Sequence, residues 1–378
     1  MKNIFILLLL CCSFFLIEAQ SNITKSFVFG GLTRDYIIHL PTGYSTSTKY
    51  PVVFNLHGYT SNATEEQLYT KMDNVANTDA QRFIVVYPNG VLNAWNSWSA
   101  GGIDDVGFIS EIIDSMNAQY NIDLNRVYSC GMSNGGFQSY RMACELSNRI
   151  VAIASVTGSM SDYVYANCNP SRAVPVLEIH GTADITVPYD GLTGSKNTET
   201  VFQFWKDHNA CGTSDTTAVA NISLTDNCTV DKIKYNTCDE ASKVWLFKVW
   251  DGGHSWPDAL IDIVGINTNH DINASQEIWD FFKQFSFGGS SGMAAETQNI
   301  AKLQLFPNPA NDQFTISADS PLQKIIVSDV FGNMVQTISL QNDFESRLSI
   351  SNLANGVYSV RVINAENMSS TQKLFVLH

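Results

Sequence analysis

A serine, a histidine and an aspartate occur in this chain in settings that suit nucleophilic catalysis. Ser133 stands at the centre of the segment Gly131-Met-Ser-Asn-Gly135, and Asp184 and His254 follow it along the chain. A serine hydroxyl is a weak nucleophile until a histidine takes its proton, and a carboxylate orients that histidine. The chemistry predicted from these three residue types is attack of the Ser133 hydroxyl on a carbonyl carbon.

The Gly-x-Ser-x-Gly motif lies where a strand is predicted to turn sharply into a helix. An apolar run, 126–130, precedes it, and a stretch with helical spacing, 137–146, follows it. Strand, turn and helix in this order form a nucleophile elbow, in which the two glycines leave room for a strained turn. The pentapeptide alone is a weak signal, so its weight comes from this context and from its partners.

The chain contains seven histidines, and His254 has the position expected of the base. It follows the last predicted core strand, 242–250, and the two glycines before it allow a tight loop. The other six lie in a strand, at the ends of strands or a helix, in a polar loop or at the terminus: His39, His57, His180, His208, His270 and His378.

The acid is predicted at the end of the strand before that one, 174–180, where Asp184 follows His180-Gly-Thr-Ala. The order Ser, Asp, His along the chain is the order in the α/β-hydrolase fold. Asp190 and Asp251 remain alternatives, in which case Asp184 caps a turn, although Asp251 is close in sequence to His254.

Two backbone N–H groups are predicted to form an oxyanion hole. Tyr59 follows His57-Gly58 at the end of an early apolar strand, where this fold places one donor, and Asn134 follows the nucleophile directly. The alternative interpretation of His57-Gly58 is an ordinary turn that ends a strand.

The elements that must position these residues alternate between strands and helices. Apolar runs without alternation, such as 51–57, are typical of strands buried on both faces of a parallel sheet. A hairpin is predicted over 27–40, further strands over 82–88 and 150–156, and helices over 65–79, 103–120, 198–208 and 274–285. We therefore predict an α/β-hydrolase fold with a mostly parallel central sheet. The short segment 157–173 leaves no room for a large lid.

The chain divides into four predicted segments. Residues 1–19 have a Lys before an apolar run and a small residue at the end, which is typical of a secretory signal peptide. Residues 20–287 form the predicted catalytic domain, and 288–300 have the Gly and Ser content of a linker. Residues 301–378 contain short alternating stretches separated by turn residues, which predicts a small β-sandwich.

The charge of the chain limits the classes of partner that it is expected to bind. The chain has 36 acidic and 22 basic side chains, a formal charge of -14, which argues against nucleic acid and anionic membranes as binding partners.

Eight cysteines are present, and the six beyond the signal peptide suggest disulfides whose pairing the sequence leaves open. No two of the six form a C-x₂-C pair, so zinc is not expected. Asp104-Asp105 is interpreted as a helix start rather than a metal site, and no cofactor is predicted.

Three tryptophans are predicted to bind substrate, because they flank glycine-rich loops rather than lie in strands: Trp95, Trp98 and Trp256. An open cleft with aromatic walls could stack an aromatic acyl group or lie flat against a polymer chain. A bulky or polymeric substrate is therefore favoured over a small ester.

Five motifs in order resemble the secreted polyhydroxybutyrate depolymerase and feruloyl esterase group of α/β-hydrolases, which overlaps the carbohydrate esterases. They are Asp104-Asp-Val-Gly-Phe108, Gly131-Met-Ser-Asn-Gly-Gly136, Arg141-Met-Ala-Cys-Glu145, His180-Gly-Thr-Ala-Asp184 and Gly252-Gly-His-Ser-Trp-Pro257. The resemblance implies Ser133, Asp184 and His254 as the triad, and it suggests a bridge between Cys211 and Cys238. Cys or another residue usually follows His-Gly in this group, and Tyr59 stands there here.

The tail resembles a second family, the C-terminal sorting domain of the type IX secretion system. Its motifs are Leu305-Phe-Pro-Asn-Pro-Ala310, Val327-Ser-Asp-Val-Phe-Gly332, Leu353-Ala-Asn-Gly-Val-Tyr358 and Lys373-Leu-Phe-Val376. The resemblance implies export to the cell surface or the medium, with the secretion machinery as partner. A carbohydrate-binding sandwich is the alternative, and the lack of Trp in the tail argues against it.

The sequence thus predicts a secreted, monomeric serine esterase. A polyhydroxybutyrate-type polyester is the first substrate expected, and a feruloyl or acetyl ester on xylan is the second. The alternative from another functional class is a non-catalytic adhesion or glycan-binding protein on a hydrolase scaffold, and the complete triad argues against it. A peptidase is a third possibility. It is disfavoured because nothing in the sequence resembles an acidic specificity pocket.

Overall fold

The structure is a computed structural model that describes residues 21–288, 303–329, 334–364 and 369–378. The predicted signal peptide and almost all of the predicted linker lie outside these residues. In the described part of the chain, no helix combines the length and apolar character needed to span a membrane.

A ten-stranded sheet with the order β1-β2-β4-β3-β5-β6-β7-β10-β9-β8 forms the centre of the larger domain. The six strands from β4 to β10 in this order run parallel, and antiparallel strands flank them on both sides. The strands are Ser21–Phe29 (β1), Leu32–Leu40 (β2), Tyr50–Leu56 (β3), Ile84–Pro88 (β4), Ile122–Met132 (β5), Ala152–Val156 (β6), Val176–Gly181 (β7), Ser214–Ala218 (β8), Thr229–Tyr235 (β9) and Val244–Trp250 (β10).

Helices cover both faces of this sheet, and two separate hydrophobic clusters fill the space between the layers. The helices are Ala63–Thr70 (α1), Met72–Thr78 (α2), Asp105–Gln119 (α3), Asn134–Glu145 (α4), Asp162–Asn167 (α5), Thr198–His208 (α6) and Ala274–Phe282 (α7), with a short 3₁₀ turn at Asp239–Ala241. Strands β3, β4 and β6 are buried along their whole length. This is the α/β-hydrolase fold that the sequence predicted.

One local feature differs from the prediction, and another confirms it. The single helix predicted over 65–79 is two helices, because Lys71 between them adopts a left-handed conformation with φ 53°. The predicted start of α3 is correct: the Asp104 carboxylate accepts the backbone N–H of Gly107 at 2.7 Å and caps the helix. This cap is the role expected from the helix dipole and the free N–H groups of a first turn.

Two disulfides tie the surface of the larger domain. Cys211 and Cys238 form one, as the family resemblance suggested, and Cys144 and Cys168 form the other, which joins the end of α4 to the end of α5. The two remaining described cysteines, Cys130 and Cys228, are free and buried. Burial raises the pKa of the Cys130 thiol well above its usual value, so Cys130 packs as a small apolar side chain.

The C-terminal domain is an antiparallel β domain. Its strands are Gln304–Phe306 (β11), Gln313–Ser328 (β12), Met334–Ser349 (β13), Gly356–Asn364 (β14) and Ser369–Val376 (β15). They join in one five-stranded sheet, in which register shifts divide the long strand β12 into two halves. Ala310 also bridges to Val376 of the last strand. Because both halves of β12 contribute to one hydrophobic cluster, the sheet supplies its own core.

We predict that the larger domain folds and works without the tail. Each of its hydrophobic clusters consists of residues between 23 and 287, and the cluster of the tail begins at Leu303. A chain ending at Phe287 should therefore keep its thermal unfolding midpoint, and its turnover of a small soluble ester should stay within about twofold of that of the full chain. Calorimetry and an ester assay on both chains test this. A truncated chain that folds but has lost its activity would show that the tail contributes to the site.

Candidate active site

Ser133 lies at the tip of a sharp turn between β5 and α4. Its backbone has φ 54° and ψ -118°, a strained conformation for a residue with a side chain. The Ser133 N–H donates to the carbonyl of Val156 at 2.9 Å, and the Ser133 carbonyl accepts from Phe137 at 3.0 Å. These bonds hold the strained turn between β6 and the first turn of the helix.

Close backbone contacts explain the glycines of this turn. A Cβ on Gly135 would lie 1.9 Å from the carbonyl oxygen of Leu56, and a Cβ on Gly131 would lie 2.5 Å from the same atom. No real Cβ makes such contacts, so any larger residue would push α4 away from the end of β3. The small residues therefore set the distance between the nucleophile and the loop that follows β3.

The two predicted oxyanion donors lie on either side of this contact. An ideal Cβ on Gly58, next to Tyr59, would be 3.6 Å from the Cβ of Ser133, so the loop after β3 passes beside the nucleophile. In the described part of the protein, no acceptor is paired with the backbone N–H of Tyr59 or of Asn134. Both donors are therefore free to bind a negatively charged oxygen.

The side chain of Asn134 has a separate task, which is to hold the loop after β4. Its Oδ1 accepts the N–H of Trp95 at 2.7 Å, and its Nδ2 donates to the carbonyl of Trp95 and to the hydroxyl of Ser97. The Trp95 indole in turn donates to the carbonyl of His57 at 2.9 Å. One buried amide thus fixes the loop after β4, which packs against the segment that begins at His57.

His57 is structural and electrically neutral. Its Nε2 accepts the N–H of Gly90 at 3.0 Å, so Nδ1 carries the proton and donates to the carbonyl of Gly58 at 2.7 Å. Burial lowers the pKa of His57, which keeps the ring uncharged near neutral pH. The ring joins the loops after β3 and β4.

His254 and Asp184 are joined directly. The Nδ1 of His254 donates to Oδ2 of Asp184 at 2.7 Å. The other carboxylate oxygen of Asp184 accepts the N–H groups of Thr186 and Val187 at 2.8 and 2.9 Å. The Asp184 side chain is fully buried, whereas 12% of the His254 side chain is exposed. A buried carboxylate thus fixes the His254 ring and leaves Nε2 as the nitrogen that can exchange protons.

The loops that carry these two residues are joined to each other through their backbones. Ala183 donates to the carbonyl of Gly252 at 2.9 Å, and Asp251 donates to the hydroxyl of Thr182 at 2.9 Å. A Cβ on Gly181 would lie 2.2 Å from the Gly252 carbonyl oxygen. The two turns therefore pack as one unit, which sets the position of Asp184 relative to His254. Asp251 itself is exposed, so it is not the buried partner of His254.

Two of the three tryptophans predicted to bind substrate do not reach the surface. Trp95 is 2% exposed, held by Asn134 and His57, and Trp256 is fully buried with its indole donating to Ser275. The prediction was wrong for both, because tertiary contacts turn these rings inward from their loops. Trp98 is 43% exposed and stacks on Phe137 of α4, with ring centroids 5.0 Å apart. Trp98 alone remains available to a ligand among these three.

A buried ion network that the sequence did not indicate lies beneath Asp184. His180 contacts Glu178 through Nδ1 at 2.9 Å, and its Nε2 lies 2.8 Å from the Val187 carbonyl and 3.6 Å from Asp184 Oδ2. Tyr140 of α4 donates to the other oxygen of Glu178 at 2.8 Å. His180 ends a buried strand next to a glycine, so sequence position alone gave no reason to distinguish it. Among the described residues, no group of His, Cys, Asp and Glu is arranged to hold a metal ion.

Two family models match this chain. A model described as esterase PHB depolymerase matches residues 34–186, and one described as secretion system C-terminal sorting domain matches residues 304–377. The first match includes the elbow and Asp184, and the second covers the antiparallel β domain.

Curated proteins similar to this chain include several esterases of fungi. The chain is 28% identical over 259 residues to a bifunctional acetylxylan esterase/xylanase of Neocallimastix patriciarum, which covers 68% of this chain and 34% of the relative. It is 26% identical over 273 residues to feruloyl esterase B of Piromyces equi, with 67% and 45% covered. A probable feruloyl esterase C of Aspergillus clavatus is 30% identical over 236 residues, with 58% and 75% covered. The chain thus spans less than half the length of the first two relatives.

Solved structures with a similar course of the chain include two esterases. A ferulic acid esterase from Anaeromyces mucronatus, in complex with ferulic acid, is 16% identical with a TM-score of 0.45, covering 71% of this chain and 92% of that one. An acetyl xylan esterase from Aspergillus awamori is 13% identical with a TM-score of 0.47, covering 62% and 94%.

The contact at Gly135 generates a testable prediction. Gly135→Ala places a methyl group against the Leu56 carbonyl, so we expect the free energy of unfolding to fall by about 1–3 kcal/mol. Gly101→Ala is the matched control, because nothing lies within 4 Å of its added Cβ. Denaturant unfolding of both variants measures the effect. Equal stability of the two variants would contradict the steric account of the elbow.

Proposed function

The chain belongs to the polyhydroxybutyrate depolymerase and feruloyl esterase group of α/β-hydrolases and carries a C-terminal secretion sorting domain, and we propose that it is a secreted serine esterase. The observation that carries the proposal is the bond between the buried Asp184 carboxylate and Nδ1 of His254. Both residues lie in loops at the carboxyl ends of parallel strands, the edge of the sheet where Ser133 also lies. Curated relatives named as feruloyl and acetylxylan esterases support the reaction class.

The proposed reaction begins with attack by Ser133. Its Oγ adds to the carbonyl carbon of the ester, while its proton passes to Nε2 of His254. The positive charge that forms on the ring is stabilised by Asp184, whose bond to Nδ1 also fixes the ring orientation. Collapse of the intermediate breaks the bond to the alcohol oxygen, and the alcohol leaves with the proton from His254.

The N–H groups of Tyr59 and Asn134 stabilise the negative oxygen of this intermediate. They approach from two elements whose separation is set by the contact of Gly135 with Leu56. The loss of one such donor typically costs about 10²-fold or more in rate. In the second half of the reaction, water adds to the acyl carbon while one of its protons passes to Nε2 of His254. The bond between that carbon and Oγ of Ser133 then breaks, the acid leaves, and His254 returns the proton to Oγ.

Exposed apolar side chains on the loops near the proposed active site indicate the class of substrate. They lie in loops at the carboxyl ends of the parallel strands, the same edge as Ser133, Asp184 and His254. Leu92, after β4, is 93% exposed, and Val264, between β10 and α7, is 99% exposed. We call the whole set the apolar rim: Tyr59, Leu92, Trp98, Ile185, Leu192, Leu260, Ile261, Ile263 and Val264.

The apolar rim, at the edge of the sheet that carries Ser133, Asp184 and His254, favours an ester on a water-insoluble polymer. Covering apolar surface stabilises a complex by roughly 25 cal/mol per Å², so several rim residues together would hold the enzyme on such a surface. Because the rim is mostly aliphatic, a polyhydroxybutyrate-type polyester is the first substrate we propose. A feruloyl or acetyl ester on xylan is the second, and the names of the curated relatives favour it.

The sorting domain sets where the enzyme acts. Its match over residues 304–377 places the protein outside the cell or on the cell surface, with the secretion machinery as the partner of the tail. An insoluble polymer cannot enter a cell, so the proposed substrate and the location agree. The proposed division is a signal peptide at 1–19, a catalytic domain at 20–287, a linker at 288–300 and the sorting domain at 301–378.

The role of Ser133 is tested with a soluble ester. Ser133→Ala should lower kcat/KM for p-nitrophenyl butyrate by about 10³-fold or more, because it removes the nucleophile. Ser214→Ala, in the exposed strand β8, should leave the rate unchanged. Circular dichroism checks that both variants are folded. A folded Ser133→Ala variant that keeps most of the activity would exclude Ser133 as the nucleophile.

The rim is tested by separating soluble from insoluble substrates. The double variant Leu92→Ser/Val264→Ser should clear a polyhydroxybutyrate suspension several-fold more slowly, because two apolar contacts with the polymer are lost. Its kcat/KM for p-nitrophenyl butyrate should not change. Leu124→Ser is the control, since Leu124 is 43% exposed and lies near the start of β5, at the opposite edge of the sheet.

Methyl ferulate is assayed in parallel, with Ser133→Ala as the blank. Polymer clearing that depends on the rim supports the polyester. Efficient release of ferulate without clearing of the polymer would reverse the order of the two proposed substrates.

A further inference from the structure

His180 has hydrogen-bond acceptors on both ring nitrogens. Nδ1 lies 2.9 Å from the carboxylate of Glu178, and Nε2 lies 2.8 Å from the carbonyl of Val187. Glu178 also accepts a hydrogen bond from the Tyr140 hydroxyl, which favours its ionised form. Opposite a carboxylate and a carbonyl, a neutral imidazole has one N–H and can satisfy only one of the two oxygens, whereas an imidazolium satisfies both. The ring is 1% exposed, so water does not replace a missing partner.

The same ring lies beside the triad acid. Nε2 of His180 is 3.6 Å from Oδ2 of Asp184, the oxygen that accepts from His254. The carbonyl that His180 binds belongs to Val187, and the N–H of Val187 donates to the other oxygen of Asp184. His180 therefore touches the turn that surrounds Asp184 at two points.

We propose that His180 is a positioning residue of the catalytic site: as an imidazolium paired with Glu178, it fixes the 184–187 turn and offsets the negative charge of Asp184. The inference deepens the proposed function, on which it rests. His180 acts through Asp184 and His254, and neither substrate nor the reacting atoms need touch it.

The surroundings of the ring agree with a positive charge. Burial alone would lower the pKa of His180, but the hydrogen bond and charge of Glu178, the Val187 carbonyl and the charge of Asp184 together raise it. Other titratable or charged groups lie near His180 on every element that packs against it. They are Glu178 on its own strand, Asp184 and Tyr189 in the following turn, Tyr140 on α4, Glu199 on α6 and Lys248 on β10. Lys248 pairs with Glu199 rather than with Glu178.

His180→Gln tests the role through the pH dependence of the reaction. Without the nearby cation, His254 feels the full charge of Asp184 and keeps its proton to higher pH. The acidic limb of kcat/KM should therefore move upward by about one pH unit. Loosening of the 184–187 turn should lower kcat about 10–100-fold with little change in KM.

Glu178→Gln provides a second, independent variant. It removes the counter-charge, so the buried ring of His180 should give up its proton and the same upward shift should follow. Because the two residues act as one unit, the double variant should be about as slow as either single variant. His39→Gln is the matched control. His39, on strand β2, is also fully buried, and its Nδ1 lies 3.3 Å from Oδ2 of Asp73. It should lose thermal stability and keep the pH profile.

The charge on His180 is read directly by ¹⁵N NMR of the wild-type protein at neutral pH. Two protonated ring nitrogens support the proposal, and a single one overturns it. If both variants keep the acidic limb where it is and kcat within about twofold, the proposal is also wrong. A wild-type protein that hydrolyses no ester would contradict the proposed function instead, and the ring-nitrogen measurement alone would then decide the state of His180.

Discussion

The backbone of Gly135 lies so close to the Leu56 carbonyl that an added Cβ would be 1.9 Å from the oxygen. This contact presses the start of α4 against the end of β3. The distance between two neighbouring parallel strands is fixed by their hydrogen bonds, so the elbow and the loop after β3 have little freedom. This constraint sets the position of Ser133 relative to the loop that carries Tyr59.

A second backbone contact positions Asp184 and His254, which lie at the same edge of the sheet as Ser133. The turn after β7 and the loop after β10 share hydrogen bonds, and Gly181 packs on the Gly252 carbonyl. Asp184 and His254 are therefore placed by main-chain contacts before their side chains interact. The carboxylate of Asp184 costs free energy to bury, which its three hydrogen bonds and the neighbouring His180 offset. In both contacts, glycine allows an approach that any other residue would prevent.

The order of elements could be predicted from the sequence because it rests on local patterns. Buried parallel strands are continuous apolar runs, and the elbow has glycines at fixed positions around Ser133. The positions of Trp95 and Trp256 could not be predicted in this way. Their burial depends on hydrogen bonds to residues far along the chain, Asn134 and Ser275. A tryptophan near glycines has the same sequence signature whether it faces a cleft or the core.

Features that depend on how the elements pack could not be predicted from the sequence either. The bond between Cys144 and Cys168 depends on how the short helix α5 packs beside α4, and nothing in the spacing of the cysteines favoured it. His180 has the same sequence setting as other histidines at strand ends. It differs from them in its ion pair with Glu178, two residues before it on the same buried strand. The break at Lys71 has no Gly or Pro to mark it.

The central claim is that Ser133 is a nucleophile activated by this constellation. Its most direct test is to react the full-length protein with a fluorophosphonate and to locate the adduct by peptide mass spectrometry. The account predicts one adduct, on the peptide that contains Ser133, which forms only in folded protein. Unmodified Ser133, or an adduct on another serine, would contradict it.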